Sequence, residues 1–148
     1  MFDKTITLFC NEGNGTYRPH VLEGVFVSKD KGYLMRNYGA EYSDGAAVNV
    51  QLSKNGETYF CGSKQYLNKK AYESLTDTAK AGAITFRGGN LFDFVWVGDY
   101  RTIDSHLAPI PDGSGFFQTF KKAHDDVFAV QTVAGPYAVI PHIEVTLK

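Results

Sequence analysis

Cysteine is scarce in this chain, long apolar runs are missing, and neither sign of charge is in excess. Each shortage removes a class of function. The two cysteines, Cys10 and Cys61, stand in separate β-like segments with no Cys-x-x-Cys pair and no Cys/His grouping at metal-ligand spacing. Buried free thiols are therefore expected, and neither a metal nor a disulfide framework is. No stretch is apolar for long enough to cross a bilayer, and Met1-Phe2-Asp3-Lys4 lacks the basic-then-apolar order of a signal peptide. No membrane association is expected. Fifteen basic residues balance sixteen acidic ones for a formal charge of −1. No global positive field is available to displace nucleic-acid counter-ions, which leaves only a local patch such as Lys64, Lys69 and Lys70. Sequence-specific nucleic-acid binding is not expected.

What the chain does have is aromatic and β-forming residues. Nine Tyr, eleven Phe and one Trp make up 14% of its 148 residues, beside 43% hydrophobic and 21% charged. That length and balance suit one folded domain over 1–148. The aromatics suit strands and protein interfaces.

Alternation in 5–10 puts Ile6 and Leu8 on one strand face, and Asn11-Glu12-Gly13-Asn14-Gly15 supplies a turn. A strand over 20–28 follows, with Gly24 as a bulge or bend, closed by Lys29-Asp30-Lys31-Gly32. Val48, Val50 and Leu52 share a face, and Asn55-Gly56 predicts a type I′ hairpin into 58–61. One or two helical turns fit 69–75, and Thr76-Asp77-Thr78 reads as loop. Residues 83–86 and 93–97 are expected to form an antiparallel pair. In the second of these, alternation sets Phe92, Phe94 and Trp96 against Asp93, Val95 and Val97, so the strand is central or covered. Residues 99–114, with Pro109, Pro111 and Gly113, read as a long loop of the kind that often carries function.

Phe116, Phe117, Phe120 and Ala123 fall at helical spacing and predict one amphipathic helix near 115–126. Strands are expected over 127–133, 137–140 and 143–147, with a turn at Ala134-Gly135-Pro136, Pro141 at a bulge or edge, and the last strand docked in the sheet. The fold class is thus mainly β with a minor α+β component, an antiparallel barrel or sandwich.

Asp104-Ser105-His106 has the residue types of a nucleophilic triad, but sequence neighbours on a loop do not supply its geometry, and no Gly-x-Ser-x-Gly context surrounds them. His20, His106, His124 and His142 do not fall on adjacent turns of one element, so they read as satisfied or solvent-facing. Asp125-Asp126 diverge by about 100° on a helix and read as a solvated end after Lys121-Lys122. Gly13-Asn14-Gly15 and Gly113-Ser114-Gly115 lack the rest of a phosphate-cradling motif and read as turns. No catalytic, cofactor-binding or metal residue is assigned, and no enzyme is expected.

Several ordered segments carry a resemblance: residues 5–9, Tyr38-Gly39-Ala40-Glu41, 62–67, 92–98 and 135–145. Together they resemble an uncharacterised family of small structural proteins of phages and prophages of Gram-positive bacteria, loosely similar to minor capsid and head-closure proteins. The resemblance spans the chain while covering a minority of it, and offers no catalytic residues to transfer. It implies a virion structural protein, a head-tail connector or head-closure (neck) subunit assembled in the host bacterial cytoplasm. Its partners would be other phage structural proteins on the portal and tail sides, with a homo-oligomeric ring of its own. The long 99–120 segment departs from a minimal barrel. Two alternatives remain, a tail-completion protein and a small-ligand or peptide-binding barrel whose mouth is lined by Tyr and Phe.

Overall fold

The computed structural model describes residues 3–13, 15–28, 46–111, 113 and 115–148. The expected turn at Lys29-Asp30-Lys31-Gly32 and the segment Tyr38-Gly39-Ala40-Glu41 lie outside them. Six antiparallel strands close into a barrel. They are β1 (Lys4–Asn11), β2 (Tyr17–Ser28), β3 (Ala46–Gln51), β8 (Phe94–Trp96), β9 (Val127–Tyr137) and β10 (His142–Leu147), in the circular order β1-β2-β3-β10-β9-β8. A second sheet of β4 (Ser53–Asn55), β5 (Thr58–Cys61), β6 (Lys64–Tyr66) and β7 (Ala83–Ile84) carries two short helices between β6 and β7. These are α1 (Lys69–Glu73) and α2 (Asp77–Lys80), and α3 (Phe116–Ala123) follows later in the chain. The architecture is the expected mainly-β one, and the barrel replaces the sandwich.

The alternating residues of the strands divide between two apolar layers. Inside, Ile6, Leu8, Leu22, Val25, Val48, Val50, Val95, Val130, Ile143 and Val145 fill the barrel and continue into Tyr72, Ile84 and Phe86 of the cap. Each such side chain contributes about 1.5–3 kcal/mol through burial. Outside, Phe9, Tyr17, Phe94 and Val127 pack with Phe120 of α3 and Tyr100 of the 99–113 segment in a largely aromatic layer. Phe9 stacks on Phe94 at 4.5 Å between centroids, and Phe120 meets Phe9 at 5.3 Å. β8 is covered on both faces, as its alternation demands, by the barrel interior around Val95 and by the aromatic layer around Phe94, while β1 and β9 take its two edges.

Gly24 is the expected bulge. Between the pairs Lys4↔Val25 and Ile6↔Leu22, β2 holds one more residue than β1, and Gly24 takes φ +70°. The 99–113 segment is tied down: Tyr100 N–H donates to Thr7 Oγ1 (3.0 Å), and Ile110 N–H donates to Tyr17 O (2.7 Å).

Four local expectations are corrected. Residues 83–84 and 94–96 do not pair, because Ala83 and Ile84 run parallel to Gln65 and Tyr66 in the second sheet while β8 belongs to the barrel. The hairpin at Asn55 forms with Asn55 facing Thr58, so Gly56-Glu57 is the loop. Only Gly56 has positive φ, which is the II′ pattern and not I′. Thr76-Asp77-Thr78 starts α2 instead of a loop, because the Thr76 hydroxyl caps Ala79 N–H at 3.3 Å. The turn expected at Ala134-Gly135-Pro136 is a bulge inside β9, since Ala134↔Glu144 and Tyr137↔His142 bracket it. Pro136 loses no ladder bond there, and the reversal comes at residues 138–141.

Candidate functional site

Among the described residues, two regions depart most clearly from the rule of apolar inside and polar outside. The first is a polar cluster where β1 and β2 meet the cap. Arg18 Nε and Nη2 donate to both oxygens of Glu12 (3.0 and 3.4 Å), and Nη2 reaches Asp77 Oδ1 at the start of α2 (3.2 Å). The Tyr72 hydroxyl donates to Glu12 Oε2 (3.1 Å). With that proton committed, His20 Nε2–H must be the donor across its 3.1 Å contact with Tyr72 Oη, which leaves Nδ1 to accept from Lys64 Nζ at 3.4 Å. Burial, followed by the Lys64 charge, pushes the His20 pKa down to about 3 and keeps the ring neutral.

Beside it, Asp93 is fully buried and its Oδ1 accepts from Lys69 Nζ and from Asn11 N–H, each at 2.7 Å. Desolvation raises its pKa to about 6 against the pull of Lys69, and Oδ2 has no hydrogen-bond partner. Cys10 donates to Thr85 O (3.5 Å), and burial pushes both the Cys10 and Cys61 thiols upward, away from the reactive thiolate.

Several of these contacts join the barrel side to the cap: Arg18 to Asp77 of α2, Glu12 and His20 to Tyr72 of α1, His20 to Lys64 of β6, and Asp93 to Lys69 of α1, with the side chains of Glu12, Arg18, His20, Tyr72 and Asp93 buried. Among the described residues no group of three His, Cys, Asp or Glu side chains could hold a metal ion.

The second region is the β9–β10 tip. Val139 is 96% exposed and Ile140 70%, with Tyr137 also in water and stacked on His142 at 4.7 Å. Further along β9, an apolar recess of about 350 Å³ is lined by Gly89, Phe92, Ala129, Val130, Gln131 and Lys148.

The other sequence candidates are scattered. Asp104 accepts from the backbone N–H groups of His106 (3.0 Å) and Ala108 (3.1 Å), a local turn that occupies both carboxylate oxygens and leaves Ser105 and His106 exposed. His124 stacks on Phe120 at 4.2 Å, and His142 sits at the tip. Lys64 is held between His20 and Ala81 O, and Lys69 by Asp93, so both are engaged at the seam between barrel and cap. Sequence reasoning missed Glu12, Arg18 and Tyr72, whose partners lie up to 60 residues away. It also missed the tip, whose β-branched run reads as strand.

A closed six-stranded barrel with a helical cap, a packed interior and an apolar hairpin tip is the class of protein these features define. Over residues 1–148 the chain belongs to a family described as a family of unknown function, DUF6751. No curated protein and no solved structure matches it. No helix among the described residues is long and apolar enough to cross a membrane.

Proposed function

We propose that this protein is an assembly subunit that works through contacts with other proteins, as a head-closure or connector component of a bacteriophage particle. The observation that carries the contact role is the tip: Val139 almost wholly and Ile140 mostly in water, on a hairpin braced by a β10 paired on both edges. Exposed aliphatics gathered at a braced tip suit burial against a partner. The phage setting rests on the resemblance of the ordered segments. Ring formation, the virion location and contacts on the portal and tail sides belong to the same proposal. A barrel that binds small ligands is less favoured, because the interior is filled by Ile6, Leu8, Val48, Val50 and their neighbours. Phe9 and Phe94 lie under α3, packed against its Phe120, instead of lining a mouth.

The test is negative-stain microscopy of particles from a phage lacking this gene, complemented with the wild type or with Val139→Ser/Ile140→Ser. Unjoined heads and tails, rescued by the wild type and not by the variant, are expected. Infectious, complete virions without the gene would overturn the reading. Complete heads bearing tails of abnormal length would point instead to tail completion.

A further inference from the structure

The tip and the recess lie at opposite ends of β9 and cannot meet within one chain. From Ala129 to Tyr137, β9 advances eight residues, about 26 Å at the rise of an extended strand. Pairing of Thr132 with Thr146 and Val133 with Val145 keeps the hairpin from folding back. The two features complement each other. The tip offers Val139 and Ile140, and the recess of about 350 Å³ has Phe92 and Ala129 in its lining. Their flanks carry opposite charge, with Lys148 at the recess and the half-exposed Glu144 carboxylate (55%) behind the tip.

We propose that the Val139–Ile140 tip of one copy seats in the recess of a second copy, with Lys148 facing the second chain's Glu144. This rests on the reading of the tip as a protein-contact surface and names its occupant. A reciprocal contact closes as a two-fold dimer, and a one-way contact repeats from copy to copy and closes as a ring.

Sedimentation velocity on the full chain tests it. The wild type should form a dimer or a larger closed species. Val139→Asp, which spoils the tip, and Ala129→Tyr, which fills the recess, should each weaken association at least about tenfold. Mixed together, the two variants should give a heterodimer, because one intact tip and one intact recess remain. At the exposed positions, Lys148→Glu and Glu144→Lys should each weaken association, and the double exchange should restore it. This arm holds even where Ala129→Tyr fails to fold. A wild type that stays monomeric overturns the proposal, as does a recess variant that associates normally. Neither result touches the particle experiment, so the contact and the assembly role fall separately.

Discussion

Beneath the cap, charged and hydrogen-bonding side chains are removed from water, whereas at the β9–β10 tip aliphatic side chains stand in it. Arg18 and Glu12 have side chains only 8% and 4% exposed, and Val139 is 96% exposed. Each arrangement is unfavourable on its own, and each is explained by what it joins. The buried charges are tolerable because Arg18, Glu12, Tyr72 and His20 satisfy one another across the seam between barrel and cap. Among the described residues the tip has no such partner, so its burial waits for another surface. Stability should therefore be concentrated at the first region and association at the second.

Removing one member of the buried pair should separate the two regions most strongly. Arg18→Met leaves the buried Glu12 carboxylate with only the Tyr72 hydroxyl and the more distant Lys80 ammonium (3.9 Å) as partners, at a cost of about 3 kcal/mol, read as a fall in the urea midpoint. A change below about 1 kcal/mol would place Glu12 in water and undo the contrast.

The next effect is pH dependence. His20 binds its proton less readily folded than unfolded, so its contribution is complete above pH 6.5 and is lost as pH falls toward about 3. That contribution is about 5 kcal/mol. Asp93 runs the opposite way. Its raised pKa favours the folded state below 3.8, a contribution of about 3 kcal/mol that disappears as pH rises through about 6. These two groups together should lower stability by about 1 kcal/mol between pH 6.5 and 3. Replacing His20 by Gln should remove the acid-sensitive part and leave Asp93 to stabilise the variant on acidification, as a pH series of urea midpoints would record. An unchanged pH slope in His20→Gln would mean that the ring is solvated in the folded state.

Tyr72→Phe is a milder probe, since it deletes only the hydroxyl between His20 and Glu12. A loss of about 1–3 kcal/mol is expected from the donor and acceptor left unpaired, measured by the same unfolding curves. The smallest effect on stability belongs to Val139→Ser/Ile140→Ser, which should shift unfolding by no more than about 0.5 kcal/mol.

Much of the fold was legible where a strand or helix writes its pattern locally. The alternation of Phe92 through Val97 assigned both faces of β8 correctly, Gly24 marked the bulge, and Phe116, Phe117 and Phe120 marked the face of α3 that covers Phe9 and Phe94. The cluster under the cap was not legible. Glu12 and Tyr72 acquire their roles only when residues 60 apart in sequence are brought together, and nothing near either one signals it. The tip was hidden for a different reason. Tyr137 to Ile140 has strand composition, and only the pairing of Tyr137 with His142 shows that the chain reverses there. The separate sheets of β7 and β8 likewise depend on which edges β1 and β9 occupy.

The most direct measurement is sedimentation velocity of Val139→Ser/Ile140→Ser beside the wild type, at equal concentration, on samples shown to share one unfolding midpoint. A wild type that sediments as an assembly and a variant that sediments as a folded monomer are predicted. Identical sedimentation of the two would contradict the assignment of association to the tip.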